Sequence, residues 1–258
     1  MSTVAPVAAV LVTGGTGLLG KRLVPELVER GHRVRVLARH VDGIGGDVEP
    51  VEGDVRSPDR VGDAMRGMDV VVHAATNVRR GMRATEIEGT RNVVDAVERH
   101  GGHLIYVSIV GVDRHRFPYY KAKWAAEQVV ESSRCSWTIQ RATQFHDLLD
   151  MFLGMPVFIR TPKLAFQVVD ARDVARRIAD IADAGPSGRV PDFGGPEILP
   201  IRDLAASRRE ITGRRARLLP VPRIGFLRDF DDGQHLCPDD CDGRTSWQEW
   251  LYASRANS

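Results

Sequence analysis

Short β-branched runs alternate with segments of helical periodicity along the first 185 residues, and this alternation constrains the fold more than any other feature. Strands separated by single helices require right-handed crossovers, which place the strands in a parallel sheet covered on both faces. We therefore predict a doubly wound α/β fold. The predicted strands are residues 9–13, 34–37, 48–52, 69–73, 104–108 and 137–140, and the predicted helices are residues 18–30, 60–66, 85–100 and 118–132.

The pattern weakens beyond the sixth predicted strand. Residues 166–169 are predicted as a strand and residues 171–184 as a helix, whereas the proline-rich stretch 186–222 shows no regular periodicity. A chain of 258 residues suits one domain and is short for two independent ones. We predict one main domain over residues 1–185. Residues 186–258 would form a small C-terminal substrate lobe that caps the carboxyl edge of the sheet without being an independent domain.

Charge and cysteine content exclude several classes of protein. The 36 basic and 34 acidic residues leave a net charge of +2, which cannot hold a polyphosphate backbone, so we expect no nucleic-acid partner. No apolar run reaches the ~20 residues that a membrane span needs, and residues 1–9 lack the features of a signal peptide. Cysteines are few enough to suit a reducing compartment, and His235, Cys237 and Cys241 lack a fourth metal ligand. We expect a cytoplasmic protein with no bound metal and no membrane partner.

A glycine-rich segment, TGGTGLLG, joins the first predicted strand to the first predicted helix. In its G-x-x-G-x-x-G arrangement, Gly14 permits the tight turn, Gly17 lets the backbone approach a pyrophosphate, and Gly20 lets helix and strand pack closely. The helix N-terminus supplies N–H groups and a positive dipole for the anion. This arrangement predicts a Rossmann-type dinucleotide site. The predicted cofactor contacts of the loop are Gly14, Thr16, Gly17, Leu18, Leu19 and Gly20.

The end of the second predicted strand bears on the choice of dinucleotide. An NAD-binding site usually carries Asp or Glu about twenty residues beyond the glycines, where it holds the ribose 2′-hydroxyl. In this chain the stretch has no carboxylate before Asp42 and carries Arg39 instead. Because a guanidinium can bind a 2′-phosphate through two hydrogen bonds, we predict that NADP(H) is preferred over NAD(H).

Five segments resemble the short-chain dehydrogenase/reductase superfamily, most closely its NmrA-like branch of atypical and extended members. They are TGGTGLLG (13–20), VEGDV (51–55), HAAT (73–76), YVSIVGV (106–112) and YYKAK (119–123), within a resemblance that spans about residues 8–185. The resemblance implies that Asp54 and Val55 lie against the adenine. It also implies that the small residues after the fourth strand, Ala74, Ala75 and Thr76, line the cofactor.

The same resemblance implies a catalytic set made of a serine after the fifth strand and a Tyr-x-x-x-Lys motif on the next helix. The matching residues are Ser108, Tyr119 and Lys123. Positions four apart share one helix face, so Lys123 can favour the phenolate form of Tyr119. The resemblance also implies that Lys123 contacts the cofactor. Tyr119 would exchange a proton with a substrate oxygen that Ser108 hydrogen-bonds. Tyr120 is adjacent, and the sequence leaves open which tyrosine is the acid/base.

Residues beyond the sixth strand stand where folds of this kind line the substrate pocket. Gln144 and His146 are the candidates for substrate contacts. A basic cluster after the fourth strand, Arg79, Arg80 and Arg83, is predicted either as a solvated loop or as a site that captures an anionic substrate.

These patterns together favour an NADP(H)-dependent oxidoreductase that acts on a ketone- or quinone-type carbonyl of a small organic molecule. Two alternatives stay open. Members of the NmrA-like branch often lose the tyrosine and act as dinucleotide-sensing regulators without turnover. A sugar-nucleotide epimerase or dehydratase is the other alternative, for which the C-terminal lobe is small. The substrate, the direction of the reaction and the oligomeric state do not follow from the sequence.

Overall fold

The structure is a computed structural model that describes residues 7–77 and 81–256. Its strands are β1 (Ala9–Thr13), β2 (Arg33–Ala38), β3 (Val48–Glu52), β4 (Val70–His73), β5 (His103–Ile109), β6 (Ser136–Ala142), β7 (Phe158–Arg160), β8 (Ala165–Phe166), β9 (Gly188–Arg189), β10 (Leu199–Pro200) and β11 (Leu218–Pro220). Its α-helices are α1 (Gly20–Glu29), α2 (Pro58–Met65), α3 (Gly89–His100), α4 (Pro118–Glu131), α5 (His146–Leu153), α6 (Ala171–Ala184), α7 (Ile201–Thr212), α8 (Leu227–Asp231) and α9 (Trp247–Ala256).

Within the described residues, seven strands form a central sheet in the order β3-β2-β1-β4-β5-β6-β9. The pairs β1–β2, β1–β4, β2–β3, β4–β5 and β6–β9 are parallel. The strand order reverses between β1 and β4, and ligands of such folds bind beyond the carboxyl ends of the strands at this reversal. The predicted doubly wound, Rossmann-type sheet is confirmed.

Helices cover both faces of this sheet, so the central strands β1 and β4 are buried along their whole length. Leu11 and Tyr106 are buried in one core cluster together with apolar residues of α2, α3 and α4. Val12 points to the opposite face, because successive side chains of a strand alternate. Two other helices are linked by a salt bridge of 2.9 Å between Arg30, at the end of α1, and Asp183 of α6. Burial on both faces explains the continuous valine and leucine runs that the sequence shows.

The helix predicted over residues 85–100 begins with a π-helical turn, Ala84–Glu88, before α3 starts at Gly89. A π-turn places one more residue in the turn than an α-helix does, and such turns are frequent at functional sites. Here the turn buries the side chain of Glu86.

The sequence predicts neither α5 nor α7, and the prediction of irregular structure across residues 186–222 is wrong where β9, β10, α7 and β11 lie. The eight residues of α5 are too few to show a clear helical period. The buried face of α7 includes Arg208, whose Nε lies 2.6 Å from a carboxylate oxygen of Asp150. Because this arginine interrupts the apolar residues of the buried face, the helical periodicity of α7 is not recognisable in the sequence. Of the predicted strand 166–169 only Phe166 lies in β8, which pairs with β10 through Ala165 and Phe166.

The chain divides into two compact units, each made of several segments. The second unit has its own apolar core, in which Leu149, Phe166, Leu204 and Trp247 are buried. The predicted boundary at residue 185 stays a prediction. The first unit holds the described residues up to Ser108 with residues 122–140 and 175–190, and the second unit holds residues 109–121, 141–174 and 191–256.

In the part of the chain that the structure describes, no helix has both the length and the apolar character that crossing a bilayer requires.

Candidate dinucleotide and catalytic site

Gly14 and Gly20 shape the turn between β1 and α1. Gly14 adopts a φ of +75°, and a Cβ atom there would lie 2.7 Å from the Ala75 nitrogen and 2.8 Å from the Ala74 carbonyl carbon. A Cβ atom at Gly20 would collide with the Gly14 carbonyl oxygen. No larger residue fits at either position, so Gly14 lets the loop approach the segment that follows β4, and Gly20 lets the start of α1 pack against the loop.

The middle of the loop is open to solvent. The Gly17 N–H donates a hydrogen bond of 2.9 Å to the Gly14 carbonyl, which closes the turn. Thr16, Gly17 and Leu18 are exposed, whereas Leu19 is buried. The predicted contacts at Thr16, Gly17 and Leu18 are therefore accessible to a ligand at the start of α1, and Leu19 packs beneath them.

Position 15 of this loop also requires glycine, although it is not one of the three glycines of the G-x-x-G-x-x-G arrangement. A Cβ atom at Gly15 would lie 2.6 Å from Cγ1 of Val36, a buried residue of β2. The need for glycine arises from a contact between residues far apart in the sequence, and no local signal announces it.

Arg39, Asp54 and Val55 lie just beyond the carboxyl ends of β2 and β3. Arg39 is exposed directly after β2. Asp54 accepts hydrogen bonds from the backbone N–H and Nη2 of Arg56 at 2.9 and 2.8 Å. The side-chain hydrogen bond from Arg56 holds the pKa of Asp54 below its usual range, and the charge of Arg39 acts in the same direction. Val55 is buried, and a Cβ atom at Gly89 would lie 2.8 Å from its Cγ2.

Hydrogen bonds fix the segment after β4 to the end of β1. The N–H groups of Ala74 and Ala75 donate to the carbonyl and the hydroxyl of Thr13 at 3.2 and 3.4 Å. The Thr13 hydroxyl lies 2.7 Å from Nδ1 of His73, whose Nε2 lies 3.1 Å from the Thr90 hydroxyl. Burial lowers the pKa of His73 to about 3, so the ring is neutral near pH 7 and serves as a structural link.

Ser108 and Lys123 belong to the first unit, which brings both to the end of β5. Lys123 Nζ donates a hydrogen bond of 2.7 Å to the Val107 carbonyl and lies 4.2 Å from the centre of the Tyr106 ring. The Ser108 side chain is buried, and its Oγ has no hydrogen-bond partner among the described residues. The Lys123 ammonium is therefore fixed next to the strand that carries the Ser108 hydroxyl, and the catalytic roles of both residues stay predictions.

Glu86 is a residue of this region that the sequence does not single out. Its Oε2 lies 3.5 Å from Lys123 Nζ. Its Oε1 accepts hydrogen bonds from the Thr76 hydroxyl at 2.5 Å and from the Asn77 N–H at 3.1 Å. Glu86 and Lys123 are 37 positions apart in the sequence, so neither motif nor periodicity could have paired them.

Tyr119 and Tyr120 belong to the second unit and differ in their surroundings. Tyr120 is 4 % exposed, and its hydroxyl accepts a hydrogen bond of 2.7 Å from Nε2 of Gln144. Burial raises the pKa of Tyr120 above its ordinary value. Tyr119 is half-buried. Tyr119 and Lys123 are four residues apart on the single helix α4, and the boundary between the units falls between them.

His146 opens α5 in the interior of the second unit. Its ring centre lies 5.7 Å from that of Trp247 and 5.6 Å from that of Trp250. Burial lowers its pKa to about 4, and neither ring nitrogen has a hydrogen-bond partner among the described residues. Its role as a substrate contact stays a prediction that this complete burial does not favour, whereas Gln144 is partly exposed.

The basic cluster after β4 and the possible metal ligands near the C-terminus are the remaining features considered in the sequence. Arg79 and Arg80 lie outside the described residues, and Arg83 is exposed. His235 Nε2 hydrogen-bonds the Ala165 carbonyl at 2.9 Å. Among residues 7–77 and 81–256, no group of three His, Cys, Asp or Glu side chains is placed to hold a metal ion.

Comparisons with known proteins agree with this geometry. Residues 14–184 match a protein family described as NAD(P)H-binding. The chain is 26 % identical over 245 residues to a ceramide reductase of Caulobacter vibrioides (strain NA1000 / CB15N), an alignment that covers 84 % of this chain and 75 % of the relative.

Two solved structures share the fold. The NADPH-dependent quinone oxidoreductase QOR2 of Escherichia coli, in complex with NADPH, superposes with a TM-score of 0.79 at 16 % identity, covering 96 % of this chain and 100 % of that chain. MoeE5 in complex with UDP-glucuronic acid and NAD gives a TM-score of 0.77 at 20 % identity, covering 96 % and 99 %. The family match confirms the expected NAD(P)H-binding character of residues 14–184, and the solved structures share the fold that the resemblance to the short-chain dehydrogenase/reductase superfamily implies; the NmrA-like branch stays a prediction.

Proposed function

Because the chain belongs to the NAD(P)H-binding family, we propose that it is an NADP(H)-dependent oxidoreductase that reduces a ketone- or quinone-type carbonyl on a small organic molecule. The observation that carries this proposal is the setting of Lys123. A buried ammonium, held by the Val107 carbonyl, lies one helical turn from Tyr119 on α4. The relative named as a ceramide reductase supports the same class of reaction.

In the proposed reaction with a ketone, the carbonyl carbon gains a hydride and the carbonyl oxygen gains a proton, which gives an alcohol. A bound dihydronicotinamide would supply the hydride with its two electrons. Tyr119 donates the proton to the oxygen. The nearby positive charge of Lys123 favours the phenolate that remains, and a proton from solvent then restores the phenol. Ser108 donates a hydrogen bond to the substrate oxygen as negative charge develops there.

Tyr119 is the better acid/base candidate of the two adjacent tyrosines. The Tyr120 hydroxyl is occupied by Gln144, and its burial opposes ionisation. Tyr119 keeps the four-residue spacing to Lys123 that places two side chains on one helix face.

The proposed preference for NADP(H) rests on Arg39. Its guanidinium is exposed at the end of β2, and the nearby carboxylate of Asp54 is engaged by Arg56. A ribose 2′-phosphate would therefore meet positive charge at this edge. The comparisons do not decide the preference, because QOR2 was solved with NADPH and MoeE5 with NAD.

A turnover assay tests the proposal. The purified protein is incubated with NADPH and a panel of ketones, quinones and sugar nucleotides, and the loss of dihydronicotinamide absorbance is followed. We expect turnover with a carbonyl or quinone that falls by at least about 100-fold in Tyr119→Phe. Tyr252→Phe, which changes a 61 % exposed tyrosine on α9, is the matched control and should keep full activity.

Three results would go against the proposal. Full activity of Tyr119→Phe would remove Tyr119 from the chemistry. Conversion of sugar nucleotides alone would favour an epimerase or dehydratase. Tight NADPH binding without turnover on any compound of the panel would favour a dinucleotide-sensing regulator.

A further inference from the structure

We propose that Glu86 is a positioning residue that holds the Lys123 ammonium with one carboxylate oxygen and the segment after β4 with the other. The kinetic part of this inference rests on the proposed function. Its binding and stability parts do not, because they concern only how these residues hold one another and a dinucleotide.

The ion pair between Glu86 and Lys123 is almost fully withdrawn from solvent. The two side chains are 1 % and 4 % exposed, and Oε2 lies 3.5 Å from Nζ. A buried charge that loses its partner is strongly destabilising, because water cannot replace the missing interaction. Apart from Glu86, Nζ contacts only a neutral carbonyl, that of Val107, and the ring of Tyr106 among the contacts described. Glu86 therefore supplies the negative charge that lets this lysine stay in the interior.

The other carboxylate oxygen of Glu86 holds a different part of the site. Oε1 accepts the Thr76 hydroxyl and the Asn77 N–H, both on the segment that follows β4. Hydrogen bonds to a charged acceptor are stronger than those between neutral groups. One carboxylate thus joins the segment expected to line the cofactor to the lysine expected to support catalysis.

The π-helical turn Ala84–Glu88 is what directs this side chain inward. The Glu86 carbonyl accepts a hydrogen bond of 2.5 Å from the Thr90 hydroxyl, four residues further on. Thr90 in turn hydrogen-bonds His73 at the end of β4. The turn is therefore held by the same buried network that fixes the end of β1, which makes the position of the carboxylate well defined.

Three other titratable groups face the Glu86–Lys123 pair from the elements around it. His73 of β4 stays neutral, because burial lowers its pKa to about 3 and the charge of Lys123 acts in the same direction. Tyr106 of β5 stays protonated, because burial raises its pKa and the charges of Glu86 and Glu127 add to the effect. Glu127, one turn beyond Lys123 on α4, is paired with Arg189 at 3.0 Å. Neither His73 nor Tyr106 therefore changes its protonation state near neutral pH.

The two oxygens predict two separable effects of mutation. Glu86→Gln keeps an oxygen that can accept from Thr76 and Asn77 but removes the negative charge beside Lys123. The surroundings of Lys123 become more positive, which favours the phenolate of Tyr119, so the tyrosine would lose its proton at lower pH. Thr76→Val removes one hydrogen bond to Oε1 and leaves the ion pair in place.

The experiment compares Glu86→Gln and Thr76→Val with Glu88→Gln, which changes an exposed glutamate of the same π-turn. Carbonyl reduction is measured as a function of pH, and NADPH binding is measured by calorimetry. For Glu86→Gln we expect kcat to fall at least tenfold, KM for NADPH to stay within threefold, and the pH at half-maximal rate to move down by half a unit or more. For Thr76→Val we expect NADPH binding to weaken about threefold or more, whereas the pH of half-maximal rate should be the same as in the unmodified protein. Glu88→Gln should match the unmodified protein.

A thermal-unfolding cycle tests the pair even if the protein turns nothing over. Lys123→Met should lower the melting temperature less in the Glu86→Gln background than in the unmodified protein. In that background the Lys123 ammonium has already lost its carboxylate partner, so its removal costs less. If Glu86→Gln does not fold by itself, the double variant should fold again. Additive effects in the cycle, a double variant that stays unfolded, or a pH profile of Glu86→Gln that superimposes on that of the unmodified protein would each overturn the inference. Failure of the proposed function would instead show as NADPH binding without turnover, with the coupling in the unfolding cycle still present.

Discussion

Gln144 donates a hydrogen bond of 2.7 Å from its side-chain amide to the Tyr120 hydroxyl. This contact separates two tyrosines that the sequence presents side by side. Tyr120 is anchored in the interior of the second unit, where its ring also lies 4.7 Å from that of His115. Tyr119 is half-buried and keeps the Tyr-x-x-x-Lys spacing. The proposed chemistry is therefore assigned to Tyr119.

Tyr120→Phe should separate anchoring from catalysis. The ring contacts survive, but the Gln144 amide loses its acceptor, so we expect the free energy of unfolding to fall by about 1 kcal/mol with kcat within about threefold. Chemical denaturation and the turnover assay measure the two quantities. A loss of turnover as large as that of Tyr119→Phe would reverse the assignment of the two tyrosines.

Gly14→Ala should abolish both dinucleotide binding and much of the stability. The new methyl group would lie 2.7 Å from the Ala75 nitrogen at a φ of +75°, so the turn must open. We expect a loss of at least about 3 kcal/mol in the free energy of unfolding and no measurable NADPH binding.

Gly31→Ala is the matched control for this change. Gly31 has a φ of +88° with no atom within 4 Å of a Cβ position, so only the backbone conformation is strained. We expect a loss of about 1–2 kcal/mol and unchanged binding. Equal effects of the two changes on NADPH binding would mean that the close approach of the loop to the segment after β4 does not shape the cofactor site.

Acid should destabilise the protein through its buried histidines. Burial lowers the pKa of His73 to about 3 in the folded state, whereas the unfolded value is about 6.5. Between about pH 3 and 6.5, His73 is protonated in the unfolded chain but neutral in the folded protein. The free energy of unfolding therefore decreases as the pH falls, by up to about 1.4 kcal/mol per pH unit for this residue. Burial lowers the pKa of other histidines to about 4, and these add to the slope; they are His103, His115, His146 and His235.

Urea unfolding at a series of pH values between about 5 and 7 measures that slope. His73→Gln should make it shallower, and His100→Gln, which changes an exposed histidine, should leave it as it is. An identical slope in all three proteins would show that His73 takes up its proton in the folded state.

Arg39→Gln should weaken NADPH binding without affecting NADH binding. A charged hydrogen bond to the 2′-phosphate would be lost, which corresponds to at least about tenfold in the dissociation constant. Arg66→Gln, which removes an exposed arginine beyond α2, is the control for a general change in charge. Calorimetry checks both. If Arg39→Gln weakened the binding of NADPH and NADH equally, this arginine would not be the residue that distinguishes the 2′-phosphate.

Local patterns were enough to predict the glycine turn and six of the seven strands of the sheet, but not β9, which lies in the stretch predicted to be irregular. The valines of β4 and the glycines at positions 14 and 20 act through periodicity and backbone freedom, which a short stretch of sequence displays directly. Strands joined by single helices are then expected to be parallel, with right-handed crossovers between them.

Contacts between distant residues were not predictable in the same way. Glu86 acquires its partner Lys123 only through the fold, and a π-helical turn cannot be distinguished from an α-helix in the sequence. The buried Arg208 of α7 is acceptable only because Asp150 meets it. His146 is a case in which the sequence position is misleading. It follows the sixth strand, where a substrate contact is expected, but its ring is buried beside Trp247 and Trp250.

Calorimetric titration of the purified protein with NADPH, NADP, NADH and NAD tests both the proposed cofactor and its preferred form. We expect clear binding of NADPH and NADP and at least about tenfold weaker binding of NADH and NAD, because Arg39 would meet a phosphate only in the first pair. Equal binding of both pairs would contradict the preference for NADP(H). A folded protein that binds none of the four would contradict the proposal that it is an oxidoreductase of this kind.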